Sequence, residues 1–514
     1  MSRIRVAMGS VPPSYLERPP YHPDERFPEA VFSVCSTEPN PPYRLFRELL
    51  RDLGFDAPRF GTAEWNPLGH LVRPGDTVVL KPNFVISRNL GGGPLQAVVT
   101  HPSLLRAAAD YVFKALQGKG RLIIADAPQM DCDWEELMRF MQLPVLQEFY
   151  RQQAGFEVEA YDLRNFAVVD NTRPPYAHNR KFLRGDPAGS TIVNLGSQSA
   201  FYGLDSARYY GADYDRAETI RHHHGEVHEY SISNTILEAD VIISLPKMKT
   251  HKKVGVTLNL KGLVGINTNK NYLIHYRLGS PRTGGDQIPD TRETGRQWKH
   301  RIQRWLSDHT LARQTVWGAG LYAAAKAVWR KGLKRFVVKP ESGEIIDAGN
   351  WFFNDSAWRM TADLAKILFF ADKKGVLRDR VQRRLFCVVD GIIGGEGRGP
   401  LEPRAKPAGY LVAGENPVAV DLVTCRLMGF DPAKIRQFDV LKDRRWDFGF
   451  TAPEDVEVLQ DGQVVSGRRF FDPANTDRMA DFEPHPGWKG HVEINAPPIH
   501  SRTRLGRDDP PGRP

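Results

Sequence analysis

At 514 residues, 41% hydrophobic and 25% charged, the chain has an ordinary globular make-up and exceeds what one core usually serves, so two domains are expected. Its net charge of +9 is modest for that length and comes with no nucleic-acid recognition module, which argues against nucleic acid as a partner. No run of about eighteen apolar residues occurs, and MSRIRVAMGSVPPSYLERPP lacks the apolar stretch of a secretory signal, so a cytoplasmic location is expected.

Residues 1–40 are rich in proline and read as an arm wrapping the surface. An N-terminal α/β domain is expected over 41–295. Within it RPGD (73–76) is a turn and DTVVLKPN a buried strand; Thr100 is expected to cap the helix HPSLLRAAADYVFKALQ, with Pro102 in its first turn. GRLIIADAP (120–128) is the next strand, ending at Asp126, and the resulting β-α-β order predicts a parallel sheet. TIVNL (191–195) and DVIISL (240–245) read as further strands. The tract RHHHGEVHEY, with His222, His223, His224 and His228, reads as a surface loop or a metal-ligating group, although Gly225 weakens the helix that would align His224 with His228.

The strand at 240–245 empties into PKMKTHKKVGVTLNLKGLVG, which holds Lys247, Lys249, His251, Lys252, Lys253, Asn259 and Lys261. If extended geometry continues past Pro246, Lys247, Lys249 and His251 share one side. Crowded cations repel and give up protons more readily, so a lysine there serves as nucleophile or base, or a charged set holds a carboxylate or phosphate. The plainer alternative is a solvated basic loop. Downstream, NKNYLIHYRLGSPRTGGDQ sets His275 in a glycine-bearing loop of the kind that closes over a site.

Residues 296–340 form a basic, tryptophan-rich insertion. Between Arg296 and Arg335 ten Lys or Arg face one acidic residue, Asp308, and Trp298, Ile302, Trp305 and His309 fall on one helical face. This is either a helical hairpin between domains or an amphipathic element making peripheral contact with a membrane surface or a polyanion.

A C-terminal α/β domain is expected over 341–470, with strands LFCVVD (385–390) and GYLVAG (409–414) and a helix opened by Asn416 and Pro417 and running to Gly429. The glycine-rich loop GIIGGEGRGP after the first strand fails as a dinucleotide fingerprint, because Pro400, Pro403 and Pro407 follow where a helix should open. It reads as a backbone cradle for an anion through Gly394, Gly395 and Gly397, or as a flexible hairpin connection. Residues 471–514 read as an extended, partly disordered tail. Four cysteines, Cys35, Cys132, Cys387 and Cys425, stand far apart with no C-x-x-C pair, against an iron-sulfur cluster or a zinc ribbon.

KPNF (81–84), ADAP (125–128), EADVIISLPKMKTHKKVGVTLNLKGLVGIN (238–267), NKNYLIHYRLGSPRTGGD (269–286), NWFFNDSAWRMTADLAKILFF (350–370), VVDGIIGGEGRGP (388–400) and NPVAVDLV (416–423) together resemble the bacterial and archaeal family called domain of unknown function 362, over about residues 75–430. Some of its members carry an iron-sulfur module, which the cysteine count excludes here. More distantly, the order His251, Lys261, His275, with Lys81 and Asn83 upstream, resembles the nickel-pincer lactate racemase family. That likeness implies two α/β domains with the site between them, His251 catalytic, Lys261 on a metal-containing nucleotide cofactor and His275 on the metal. The chain departs from it around the lysine, in NLKGLVG, and lacks the early Asp and Arg pair.

Ligands of open parallel sheets sit beyond the carboxyl ends of the strands. The expected fold class is therefore α/β, two α/β domains with a mainly parallel sheet and a cleft gathering Lys81, Asn83, Asp126, Lys247, Lys249, His251, Lys261 and His275. The expected function is proton transfer of racemase, isomerase or lyase type on a small anionic molecule. His251 would be acid or base, Lys249 and Lys261 would fix the anion or a cofactor such as a divalent metal, and Asp126 would orient a partner. Two alternatives remain open: a non-catalytic or membrane-associated accessory binding an anionic glycan or lipid, and a phosphate- or nucleotide-dependent transferase with magnesium on Asp390 or Asp421.

Overall fold

The computed structural model describes residues 4–168, 180–212, 215–290, 346–477 and 479–496. The basic insertion expected at 296–340 and the tail beyond 496 lie outside the described residues.

The framework is one sheet of eleven strands. These are β1 (Ile4–Ser10), β2 (Thr77–Pro82), β3 (Arg121–Asp126), β4 (Val158–Asp162), β5 (Val241–Leu245), β6 (Lys247–His251), β7 (Gly255–Val256), β8 (Arg384–Arg398), β9 (Glu402–Gly414), β10 (Val456–Gln460) and β11 (Gln463–Ser466). Their order is β11-β10-β1-β9-β8-β5-β2-β3-β4, with β6 pairing β8 and β7. The run β8-β5-β2-β3-β4 is parallel throughout; β9 is antiparallel to both β8 and β1. Strands from the two segments expected to form separate domains thus hydrogen-bond within one sheet, β5 beside β8.

Both faces are covered, which is why the parallel strands read as continuous apolar runs. Val78, Leu80, Leu122, Ile124, Val241 and Ile243 pack on one side with helices α1 (Pro41–Asp52), α2 (Pro102–Leu116), α3 (Trp134–Met141) and α4 (Leu143–Ala154). The alternate residues Val79, Ile123, Ala125 and Ile242 pack on the other side. There they meet α5 (Leu258–Gly262), α6 (Ala357–Phe370) and α7 (Pro417–Leu427). The period of two along each strand divides its side chains between two cores.

Several local expectations change. The start of the supposed surface arm is interior strand β1, with Val6, Ala7 and Met8 buried between β9 and β10. His101, not Thr100, caps α2, its ring accepting from Ser103 N–H, with Pro102 opening the helix. Thr100 instead ties strand ends together: its Oγ1 donates to Leu245 O (2.6 Å) and accepts from Asn83 N–H (2.9 Å). TIVNL lies in a separate three-stranded sheet. The glycine-rich run 391–398 is not a loop but the second half of β8, paired with β9 through a register shift between Gly391 and Ile393. The first part of the tail is packed down, Phe482, Trp488 and Val492 being buried, with Trp488 Nε1 donating to Lys252 O. No helix among the described residues is long and apolar enough to cross a membrane.

Candidate active site

The extended chain does continue past Pro246: β5 passes directly into β6, which moves along β8 to pair Lys247 with Asp390 and Lys249 with Gly395. Every residue of β6 is buried, so the basic stretch is interior and not a solvated loop. Buried ammonium groups require partners or a lowered affinity for protons, and the structure treats each lysine differently.

Lys81, at the end of β2, pairs with Asp126 at the end of β3 (3.0 Å), both almost fully buried. Asp126 also accepts from Phe84 N–H (2.8 Å) and Ala127 N–H (3.0 Å), so it orients Lys81 and the two strand ends. Gly265 seals this pair; a Cβ there would overlap Asp126 Oδ1 and lie 2.8 Å from Lys81 Nζ. Lys247 donates to Asp390 (3.0 Å) and to Tyr15 OH (2.9 Å), while Tyr15 donates to Asp390 (2.6 Å) and stacks on His101 at 3.8 Å. Lys249 Nζ donates to Val98 O (2.5 Å); burial and the charges of Lys247 and Lys261 push its pKa well down. Lys253 Nζ donates to Ala348 O and lies over the Tyr276 ring; burial and then Lys252 lower it to about 7. Lys270 donates to three carbonyls, Ala127, Val264 and Asn267, and burial lowers it to about 7.

Lys261 is the exception. Of the seven lysines that are buried, it alone has no hydrogen-bond or carboxylate partner for its Nζ among the described residues. Burial alone pushes it down to about 7. It rides on the short helix α5, which Asp421 of α7 fastens from the other side. Asp421 accepts from Asn259 N–H (2.9 Å), Asn259 Nδ2 (2.7 Å) and Leu260 N–H (2.8 Å). That clamp holds Leu258 in the left-handed region at φ 42°, where a branched side chain is strained.

The two histidines flank this amine electrostatically. Burial first, then Lys261, lowers the pKa of both His251 and His275 well below the usual value, with Lys253 acting on both in the same direction. Both rings are therefore neutral, and their hydrogen bonds assign complementary tautomers. His251 Nδ1 accepts from Lys253 N–H (3.0 Å), which leaves its proton on Nε2. His275 Nδ1 lies 3.1 Å from Leu273 O, an acceptor, so Nδ1 carries the proton and Nε2 keeps a lone pair. One ring is thus a donor and the other a base. His275, Tyr276, Gly262 and Val264 are partly exposed and mark the solvent side of the cluster.

The remaining predicted residues have local duties. Asn259 holds Asp421. Asn83 caps the Thr100 contact through its backbone, and its Oδ1 is buried without a partner among the described residues. Gly394 and Gly395 allow close packing: a Cβ on Gly394 would lie 2.6 Å from the Phe482 ring, and one on Gly395 would overlap Ala97 O and lie 3.0 Å from Lys249 Cβ. Gly397 takes φ 75° near the hairpin end. Asp390 and Asp421 are both fully buried, and each is engaged by three or more donors. The histidine tract is a hairpin, His223 Nε2 donating to Tyr272 O, with Gly225 in its turn at φ 53°. No group of three or more His, Cys, Asp or Glu that could hold a metal ion occurs among the described residues.

Lys253, Lys270 and Tyr15 were not singled out by sequence reasoning. Lys253 sat in the quoted basic stretch; Lys270 bonds the nearby Val264 and Asn267 carbonyls but also the distant Ala127, and Tyr15 bonds Asp390 and Lys247, far along the chain.

Residues 78–426, more than half the chain, match the sequence model of a family described as "Domain of unknown function (DUF362)". No curated protein matches.

Proposed function

The chain belongs to the DUF362 family, and on that footing we propose that it is an enzyme moving a proton on a small anionic molecule held at Lys261, between His251 and His275. The observation that carries this reading is a buried amine without a partner among the described residues, electrostatically coupled to two neutral imidazoles of opposite tautomer. A buried cation site lacking a counter-charge gains most from an anionic ligand, since that ligand supplies the missing partner. Lys249, Lys253 and Lys270 are electrostatically coupled to it, and their own hydrogen bonds keep them in place.

The tautomers divide the labour. The lone pair on His275 Nε2 takes the proton, as a general base. His251 donates a hydrogen bond from Nε2–H to the oxygen on which negative charge develops; as a neutral imidazole it polarises that oxygen without needing to ionise. Proton abstraction beside a carboxylate serves racemisation, isomerisation or elimination equally.

The test is exchange of the carbon-bound proton in deuterated buffer, followed by nuclear magnetic resonance for a panel of short 2-hydroxy and 2-oxo carboxylates. His275→Gln is expected to slow exchange by about a hundredfold or more, the usual contribution of a positioned base. If His251→Ala and Lys261→Ala both leave ligand binding and exchange intact, the assignment is wrong.

A further inference from the structure

The other buried lysines have their ammonium hydrogens committed. Lys81 is on Asp126, Lys247 on Asp390, Lys249, Lys253 and Lys270 on carbonyls, and Lys366 on Gln198 O and Asp443. These bonds favour the protonated form and occupy the nitrogen. Lys261 Nζ has neither constraint among the described residues; it is held on a helix pinned by Asp421, and its charge reaches both His251 and His275, the proposed donor and base. An uncommitted, desolvated amine next to other cations is the arrangement that makes a lysine nucleophilic.

We propose that Lys261 Nζ forms a reversible imine with the carbonyl carbon of a small 2-oxo acid. The carboxylate of such an acid meets the positive surroundings of Lys249, Lys253 and Lys270, and its carbonyl meets the free amine. In the first step the nitrogen lone pair forms the C–N bond as the carbonyl π bond breaks onto oxygen, which accepts a hydrogen bond from His251 Nε2–H. His275 Nε2 carries one N–H proton to that oxygen, giving the carbinolamine. It then carries the second as the C–O bond breaks, so water leaves and the imine remains. Amine and ketone become imine and water, with no change in oxidation state. The inference rests on the reading of this cluster as an anion site served by two histidines. It adds that the lysine bonds covalently to the ligand.

The test uses the full-length protein with pyruvate and sodium cyanoborohydride, followed by peptide mass mapping. Reduction of the imine leaves one carboxyalkyl group on the lysine. Lys261 is expected to be modified at least tenfold faster than the exposed Lys442 and Lys489, whose side chains are 78% and 66% accessible. Acetone, which has the carbonyl but no carboxylate, is expected to lose that preference. Lys261→Arg keeps the charge but cannot form the imine; matched by circular dichroism to the parent, it is expected to lose the fast adduct. Modification of Lys442 and Lys489 with Lys261 left bare, or an unchanged fast adduct in Lys261→Arg, overturns the imine. If Lys261 stays bare while His275-dependent proton exchange persists, the imine alone fails; if the exchange is also absent, the site reading fails with it.

Discussion

Replacing Lys261 by methionine should make the protein more stable, because the native amine is buried at a cost. Burial moves its pKa from the ordinary 10.5 to about 7. At pH 7 the unfolded chain holds this proton fully, whereas the folded chain holds it about half the time and in an unfavourable place; the difference amounts to about 4 kcal/mol. Methionine has a similar length and fills the space without a charge, so Lys261→Met should gain up to that amount. The sign with pH follows. The folded pKa lies below the unfolded one, so the unfolded state binds more protons between pH 7 and 10.5. The contribution of this lysine to wild-type stability therefore rises with pH across that window, and the advantage of the variant should shrink to about 2 kcal/mol at pH 9. Lys253 and Lys270, both also lowered to about 7, are held down in part by the charge of Lys261, so its removal relieves them too and adds to the advantage of the variant at pH 7. Urea unfolding of both proteins at pH 7 and pH 9, followed by tryptophan fluorescence, measures the gap. A variant no more stable than the parent at pH 7, or a gap that fails to narrow by pH 9, would refute the claim that this amine is desolvated and unpaired.

Gly265→Ala should destabilise by about 3 kcal/mol or more, since the new methyl overlaps Asp126 and parts a buried ion pair; a Tm equal to the parent's would contradict this. Tyr15→Phe removes a hydroxyl that joins Lys247, Asp390 and Ile393 N–H, and should cost about 1–3 kcal/mol in denaturant titrations. Asp421→Asn turns one acceptor into a donor facing backbone N–H groups. A loss of about 1–3 kcal/mol is expected, together with slower carboxyalkylation of Lys261 as α5 loosens; unchanged labelling would show that Asp421 does not position the amine.

Much of the architecture is written locally. Apolar runs ending near Lys81, Asp126 and Leu245, with turn and cap chemistry between them, are enough to specify parallel strands and crossover helices, and Asn416 with Pro417 opens α7 as its residue types require. The glycine-rich run misled because glycine marks both turns and close strand contacts. Only neighbours distant in sequence, Phe482, Ala97 and Met248, reveal that Gly394 and Gly395 serve the second purpose. The division into domains likewise depends on β5 finding β8 across more than a hundred residues, a pairing that carries no sequence signal of its own.

The sequence by itself determined which side chains were candidates, because lysines and histidines at the ends of apolar strands are recognisable by type and position. What only the tertiary structure decided was the state of each one. Whether a buried ammonium is neutralised by Asp126 or Asp390, shared among carbonyls, or left without a partner among the described residues, as in Lys261, depends on atoms brought in by other elements. So does the tautomer of His251 and His275. Charge and protonation respond to surroundings within a few ångströms in space, and distance along the chain says little about those surroundings.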